Sequence, residues 1–330
     1  MSRARTRRSV TVLCGGFGAA RFLQHGPLAA APHSWDLRLV VNTGDDFAYH
    51  GLQISPDLDS VLYALAGCFD EQRGWGLVPD TFHATTALGR YTDAWFKVGD
   101  RDLAQHLRRS QLLAQGMSLA EATRVLGAAW QIRADLLPMS NDPVRTVIAT
   151  DEGLLAFQDY VVRRRGEPRV EAIAYEGIDS ACCAPGVLTA VTDSDLVLLA
   201  PSNPIGSLGP ILALPGMSAA LRSRPAPVVA VTPVVAARPP RTPPERSRYA
   251  VREAFLAACG IPHSPAGVAA HYRDLIDGFV LDERDAGARA QIEDLGVATL
   301  SVDTLAAPAA RGTMTARVLD WACSLARITR

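Results

Sequence analysis

No charge of one sign dominates this 330-residue chain, and no long apolar run interrupts it. Lysine and arginine together number 33 and aspartate and glutamate 34, which gives a net charge of −1. A chain so nearly neutral has no electrostatic basis for binding nucleic acid or anionic lipid. No stretch of eighteen apolar residues occurs, so the sequence predicts no membrane span. We therefore expect neither nucleic acid nor a membrane as partner.

Metal-binding spacings of cysteine and histidine are also missing. The six cysteines form no C-x-x-C pair, and the seven histidines form no H-x-H or H-E-x-x-H pattern. These absences exclude a recognisable zinc site. Residues 3–32 have a basic start and an apolar middle, as signal peptides do, but three glycines and Arg21 interrupt the run. We interpret this stretch as a strand entering a glycine turn, and we expect a cytoplasmic protein with reduced thiols.

Six short β-branched runs alternate with helical patterns along the chain. The apolar residues in these runs are continuous, as in strands of a parallel sheet that is covered on both faces. The sequence therefore predicts an α/β fold with a doubly wound, mostly parallel Rossmann-like sheet. The six runs are 9–13, 37–43, 195–201, 226–233, 278–282 and 297–303.

Further segments modify this plan. Residues from about 70 to 137 carry a leucine stripe at helical spacing and a capping box that begins at Ser118, which predict a helical insertion lobe. Residues 144–162 predict a hairpin at the sheet edge, and the proline- and arginine-rich segment 236–248 is typical of a solvated loop. We expect one α/β domain over residues 1–330, closed by a helix at about 311–329, and a homodimer that covers the sheet edges.

The first predicted strand ends in the glycine-rich turn C-G-G-F-G. Gly15, Gly16 and Gly18 would let the backbone approach a phosphate at the start of the next helix. The pattern is not a Walker sequence, and it departs from G-x-G-x-x-G because Arg21 occupies the last position. A tight turn without a ligand would give the same pattern.

Four aspartates follow the second predicted strand within fifteen residues. Asp45 and Asp46 come directly after the strand, where open α/β sheets bind their ligands. Asp57 and Asp59 begin the next helix, where they could simply complement the helix dipole. The dipole does not account for Asp45 and Asp46, and hard carboxylate oxygens suit Mg²⁺.

Polar residues recur in three more loops that follow strands or precede helices. Capping and turn formation could explain each of them, but their shared position at strand ends and helix starts favours one cleft. Aromatic residues of the lobe belong to the core in most proteins, although a flat ring ligand would need such a wall. The residues concerned are Arg101, Arg145, Ser202 and Asn203 in the loops, and Trp75, Phe82, Trp95 and Phe96 in the lobe.

Together these segments resemble the CofD/FbiA family, whose members attach a phospho-carboxylate unit to the deazaflavin FO in building coenzyme F420. The likeness extends from residue 10 to about 235 and is weaker in GVAAHYRDLIDGFVLDERD. The matching segments are GGFGAARFL, VVNTGDD, ISPDLDSVLYALAG, RGWGL with DTF, WFKVGDRDLAQHLRRSQLL, LLPMSNDPVRT and LLAPSNPIGSLGPILALPG.

The resemblance implies a transfer reaction at phosphorus. The ribityl hydroxyl of FO would attack a guanosine-diphosphate-activated donor, GMP would leave, and a donor-forming guanylyltransferase would be a functional partner. The transferred unit would be 2-phospholactyl, phosphoenolpyruvyl or 3-phosphoglyceryl. Positioning and charge neutralisation, rather than a covalent enzyme intermediate, would supply the catalysis.

The resemblance also implies roles for individual residues. Asp45 and Asp57 would hold Mg²⁺ against the diphosphate, and one of the two would accept the hydroxyl proton. The remaining sets are Gly15, Gly16, Gly18, Asn42, Ser202 and Asn203 for the nucleotide, Trp75 and Phe82 for the deazaflavin, and Arg101 and Arg145 for the donor's negative charge.

Two alternatives stay open. CofD-like relatives include regulatory proteins that bind sugar nucleotides without transfer chemistry, although WFKVGDRDLAQHL and RGWGL with DTF look like the transferase version. An NAD-linked oxidoreductase of the same fold class is disfavoured by the incomplete glycine pattern and by Asn42 at the end of strand two. Arg238 and Arg241 stand where many relatives carry lysines, which leaves the identity of the donor open.

Overall fold

A seven-stranded parallel sheet forms the centre of the molecule. The computed structural model describes residues 7–24, 28 and 35–325. The strands are β1 (Arg8–Cys14), β2 (Trp35–Val41), β3 (Phe47–Tyr49), β4 (Leu52–Ile54), β5 (Asp135–Pro138), β6 (Arg145–Thr150), β7 (Gly153–Ala156), β8 (Val170–Glu176), β9 (Leu196–Leu199), β10 (Val228–Val231), β11 (Gly278–Asp282) and β12 (Ala298–Val302). The central sheet has the order β12-β11-β10-β9-β1-β2-β5, and all its neighbouring strands are parallel.

All six strands predicted from apolar runs lie in this sheet. The middle residues of β1, β9, β10 and β11 are fully buried, as expected where helices cover both faces, and Val12 pairs with Leu39 on one side and Leu198 on the other. The seventh strand, β5, was missed because it falls at the end of the segment predicted to be a helical lobe. It pairs in parallel with β2 and forms one edge of the sheet.

Helices cover both faces of the central sheet. Val12 belongs to one buried apolar cluster and its neighbour Leu13 to another, because successive strand residues point to opposite faces. The predicted doubly wound α/β fold is therefore confirmed. The helices are α1 (Gly16–Leu23), α2 (Pro56–Leu65), α3 (His83–Leu88), α4 (Asp100–Ala114), α5 (Leu119–Ala129), α6 (Val187–Thr192), α7 (Leu208–Ala213), α8 (Met217–Ser223), α9 (Pro243–Ala258), α10 (Pro265–Tyr272), α11 (Arg289–Glu293) and α12 (Pro308–Leu325).

Three helices, α3 to α5, occupy the span between α2 and β5. The capping box predicted at Ser118 is present: its hydroxyl accepts a hydrogen bond from the Glu121 amide at 3.3 Å, and the Glu121 carboxylate accepts one from the Ser118 amide at 2.8 Å. The division of the chain into one domain with an inserted lobe stays a prediction.

The hairpin predicted over residues 144–162 forms a sheet of its own rather than an edge of the central sheet. β6 and β7 pair antiparallel as predicted, but β8 pairs with the other side of β6. The result is a separate three-stranded sheet of order β7-β6-β8. Residues Asp159–Arg163 form a π-helical turn, not a strand.

The segment 236–248 is a loop only in its first half. Thr242 caps α9: its hydroxyl accepts from the Glu245 amide at 3.3 Å, and Pro243 occupies the first helical position. This is a strong helix-start pattern that the proline-rich composition concealed. The final helix spans 308–325, and the last residues predicted for it lie outside the described part. Within the described residues, no helix has both the length and the apolar character needed to cross a bilayer.

Candidate active site

A cleft of about 1380 Å³ opens at the carboxyl ends of the central strands. Residues that follow β1, β2, β9 and β10 meet there, as expected for an open α/β sheet. Asn42 and Ser202 are buried and hydrogen-bond to residues of its lining. Of the residues to which the resemblance gives a role, those that line the cleft are Gly15, Gly16, Gly18, Asp45, Asp57, Trp75 and Asn203.

The glycine turn after β1 packs directly on the acidic residues. A side chain at Gly15 would overlap a carboxylate oxygen of Asp57, and Gly16 has a φ of +67°, which favours glycine. The Gly15 amide donates to the Ser202 hydroxyl at 3.0 Å, and the Gly16 amide donates to Asp57. The start of α1 therefore already faces one anion, the Asp57 carboxylate.

Asp45 and Asp57 form a buried acid pair that one amide group joins. The Asn42 Nδ2 group donates to Asp57 Oδ2 at 2.9 Å and to Asp45 Oδ1 at 3.3 Å, while Gln158 donates to Asp45 Oδ2 at 3.1 Å. The amide of Gly44 in turn donates to Asn42 Oδ1 at 2.8 Å, which fixes the orientation of the side chain. Two strand ends and a helix start thus hold the pair in place.

Burial and mutual repulsion disfavour the charged forms of this pair. Burial, followed by the charges of Asp57 and Asp46, raises the pKa of Asp45 well above its usual value. Burial raises the pKa of Asp57 to about 6, although hydrogen bonds from Asn42, Ser207 and Gly16 oppose the shift. In the described part of the chain, neither carboxylate has an ion pair with lysine, arginine or histidine. Two buried carboxylates with neutral donors alone are a donor set that fits a hard divalent cation.

The other two aspartates of the cluster are bound differently. Asp46 accepts a hydrogen bond from the Ser55 hydroxyl at 2.6 Å, and burial raises its pKa to about 7. Asp59 is paired with Arg109, whose Nη1 donates to Asp59 Oδ2 at 2.9 Å. Burial favours the neutral acid at Asp59, but the charges of Arg109 and His106 outweigh it and lower its pKa.

A second group of possible metal ligands, Asp59, Asp102 and His106, also lies at the cleft. Each of them already has a protein partner: Asp102 accepts from the Tyr63 hydroxyl at 2.6 Å, and the His106 ring lies 3.3–3.5 Å from both carboxylates. The guanidinium of Arg109 already compensates Asp59. We therefore favour Asp45 and Asp57, not this group, as cation ligands.

The aromatic residues predicted for the deazaflavin lie together but not all in the cleft. Trp75 lines the cleft, and its ring centroid is 5.9 Å from that of Phe82. Phe82 lines an adjacent pocket of about 630 Å³ and has the Arg73 guanidinium 4.9 Å from its ring centroid. Trp95 and Phe96 line the cleft as well, packed against Phe47.

The structure does not bring Arg101 or Arg145 to the cleft. The Arg101 guanidinium donates to the Pro79 carbonyl at 2.7 Å on the exposed side of α4. Arg145 donates to the Val144 carbonyl at 2.9 Å, and its charge opposes the rise in the pKa of Asp46. Both guanidinium groups are bound to backbone carbonyls outside the cleft lining, and the sequence could not give the direction of these side chains.

Several cleft residues were missed in the sequence. Gln158 was placed in a predicted strand, and no pattern marks it as a partner of Asp45. Ser207 stood in a polar loop but received no role. The cleft is also lined by arginines from six separate segments, namely Arg21, Arg73, Arg165, Arg238, Arg241, Arg248, Arg252, Arg284 and Arg311.

Comparisons with known proteins identify the family of the chain. The family model described as "2-phospho-L-lactate transferase CofD" matches residues 10–316. A phosphoenolpyruvate transferase of Kitasatospora aureofaciens is 42% identical over 303 residues, which are 90% of this chain and 92% of that protein. A 2-phospho-L-lactate transferase of Methanosarcina mazei is 39% identical over 295 residues, 89% of this chain and 93% of that protein.

A solved structure confirms the fold. A UPF0052-family protein of Bacillus halodurans has a TM-score of 0.61 with 14% identity, and the match covers 96% of this chain and 100% of that chain. At such low identity the likeness concerns the fold alone. The family model and the relatives confirm the resemblance stated from the sequence, and the chain belongs to the CofD family of transferases.

Proposed function

We propose that the chain transfers a phospho-carboxylate unit from a guanosine-diphosphate-activated donor to the ribityl hydroxyl of the deazaflavin FO, with release of GMP, in coenzyme F420 biosynthesis. The observation that carries this proposal is the acid pair of Asp45 and Asp57, which faces the cleft beside the glycine turn without a cationic partner among the described residues. Transfer at phosphorus depends on neutralising phosphate charge, and this pair can recruit a cation for that purpose.

Asp45 and Asp57 would hold Mg²⁺, and the ion would neutralise the diphosphate and stabilise the leaving phosphate. Side chains of the protein would position the reacting groups and accept the proton. The hydroxyl oxygen of FO bonds to the phosphorus that carries the acid, the bond from that phosphorus to the GMP phosphate oxygen breaks, and GMP keeps the electron pair. One carboxylate of the pair accepts the hydroxyl proton, and Gln158 and Asn42 hold the pair in position.

The remaining roles follow the walls of the cleft. Gly15, Gly16, Gly18 and Asn203 would contact the nucleotide, with Ser202 holding the turn through its bonds to Gly15. Trp75, 37% exposed, would offer its ring to the flat deazaflavin. The partners we propose are FO, the donor, a donor-forming guanylyltransferase and a second copy of the chain, all in the cytoplasm. The regulatory alternative is not favoured, because the relatives at about 40% identity are named as transferases.

A product assay tests the proposal. The purified chain is mixed with FO, MgCl₂, GTP and a guanylyltransferase, and 2-phospholactate, phosphoenolpyruvate and 3-phosphoglycerate are supplied in separate reactions. We expect mass spectrometry to detect a phosphodiester of FO in at least one reaction. The product should disappear with EDTA and return with excess Mg²⁺. If no reaction yields a product and FO fluorescence is unchanged on adding the chain, the transferase proposal fails.

A further inference from the structure

Two arginines of helix α9 form part of the cleft wall that no role above explains. Arg248 and Arg252 are four residues apart, so they lie on the same face of the helix. Both are half-buried, and both line the cleft. Arg248 packs against the glycine turn that contacts the acid pair. Its guanidinium carbon is 3.8 Å from the ring centroid of Phe17. Phe17 follows Gly16, whose amide donates to Asp57.

Neither guanidinium is occupied by a protein anion. Among the described residues, Arg248 has no hydrogen bond or ion pair; its recorded contacts are the Phe17 ring and the backbone at Gly74, where an added Cβ would lie 2.5 Å from Arg248 Nη1. Arg252 donates through Nε to His263 Nε2 at 3.0 Å, and its two terminal nitrogens have no acceptor in the described part. Phe17 and His263 therefore hold the two cations in place without neutralising them.

Four other arginines of the cleft differ in this respect, and one of them, Arg73, is paired with Asp70 at 2.7 Å. Arg238 is paired with Glu245 at 3.2 Å, Arg311 with Glu71 at 2.6 Å and Arg284 with Asp282 at 2.8 Å. Burial lowers the pKa of Arg248 and Arg252, in Arg252 to about 10, although the charges of Glu245 and Glu253 oppose the shift. Neither acid forms an ion pair with these two arginines among the described residues. Two partly buried cations without a directly paired acid offer a binding site for an anion.

We propose that Arg248 and Arg252 form a subsite for the carboxylate of the three-carbon acid in the donor. The inference rests on the proposed function. The donor carries a diphosphate and one carboxylate, and the glycine turn with a cation on the acid pair accounts for the diphosphate alone. The planar fork of arginine matches a carboxylate with two parallel hydrogen bonds. The chain has 32 arginines and only one lysine, Lys97, so the cationic side chains at this part of the cleft are arginines.

A pair of donor analogues tests the subsite directly. Guanosine-diphosphate-linked 2-phospholactate and its carboxylate methyl ester are titrated by calorimetry into the full chain with MgCl₂, and GDP serves as a third ligand. We expect the wild-type chain to bind the acid about 10- to 100-fold more tightly than the ester. In Arg248→Gln and Arg252→Gln this preference should fall towards unity, while the affinity for GDP should stay within about twofold. Arg222→Gln, an exposed arginine of α8 outside the cleft lining, is the matched control.

Three outcomes overturn the proposal: no preference for the acid in the wild-type chain, an unchanged preference in both variants, or an equal loss of GDP affinity, which would make the pair a nucleotide phosphate site. Arg252→Gln serves as the second variant if Arg248→Gln fails to fold. The transfer assay separates the two proposals. If the chain prefers the acid but makes no FO product, the subsite proposal stands and the proposed function fails. If the chain makes the FO product but shows no preference for the acid, the proposed function stands and the subsite proposal fails.

Discussion

Asp57 and Asp59 stand two residues apart in the first turn of α2, and both are almost fully buried, at 6% and 4% exposure. Their electrostatic environments are nevertheless opposite. Asp57 meets neutral donors and has a pKa raised to about 6 by burial. Asp59 is also disfavoured as an anion by burial, but Arg109 outweighs this effect and its pKa is lowered.

The difference arises from helix geometry and from the partners that other elements supply. Two residues correspond to about 200° around a helix, so the two side chains point in different directions. Asp57 reaches the glycine turn, and Asp59 reaches Arg109 on α4. A buried carboxylate with a guanidinium partner is a structural element, whereas one without such a partner destabilises the fold and is retained for another reason. We propose that the reason in this protein is a cation site formed by Asp45 and Asp57.

Removing the charge of Asp57 should have the largest effect. We expect Asp57→Asn to lower the transfer rate by about 10³-fold or more, because the acid pair loses a ligand and a base. Thermal unfolding should occur at the same or a higher temperature, because an uncompensated buried charge disappears. Steady-state assays and calorimetry measure both effects, and Asp274→Asn on the exposed surface is the control. A variant that retains full activity, or that unfolds, contradicts the role given to Asp57.

Removing Arg109, the partner of Asp59, should have the opposite effect on stability. Arg109→Met leaves a buried carboxylate without its cation, so we expect the free energy of unfolding to fall by about 3–5 kcal/mol. Urea denaturation measures the change. Arg108→Gln, the exposed neighbour on the same helix, should change it by less than about 0.5 kcal/mol. The double variant Arg109→Met/Asp59→Asn should recover part of the loss, and no recovery would mean that Arg109 stabilises the fold through other contacts.

The dependence of the unfolding free energy on pH should also differ between Asp57 and Asp59, and this is the smallest of the three expected effects. A raised pKa in the folded chain means that the stability contribution of Asp57 is full below about pH 4 and is lost as pH rises through about 6. The stability gain of Asp57→Asn over the wild-type chain should therefore increase by about 1 kcal/mol between pH 5 and pH 8. For Asp59, whose pKa is lowered, the corresponding difference should stay flat over this range and change only below about pH 4. A flat Asp57→Asn curve would contradict the pKa assigned here.

The sequence predicted the central sheet well because six strands are continuous apolar runs, and apolar continuity is a local property. β5 was missed because its four residues border a helical segment. β8 was missed because it pairs with β6, which is not next to it along the chain, and no local pattern shows such a pairing. The sequence predicted that Asp45, Asp57 and the glycines meet at the cleft, because strand ends collect at one edge of a parallel sheet. The directions of Arg101, Arg145 and Arg248 depend on packing between elements, which no local pattern encodes.

Gly15 lies where a side chain would occupy the space of the Asp57 carboxylate. In evolutionary terms the two positions must change together. A lineage can gain a side chain at residue 15 only after the acid at residue 57 has moved or been replaced. A descendant that has lost the acid is free to fill residue 15. Paired substitution at these two positions would then mark relatives that have abandoned the chemistry while keeping the fold, and it would sort them by sequence alone.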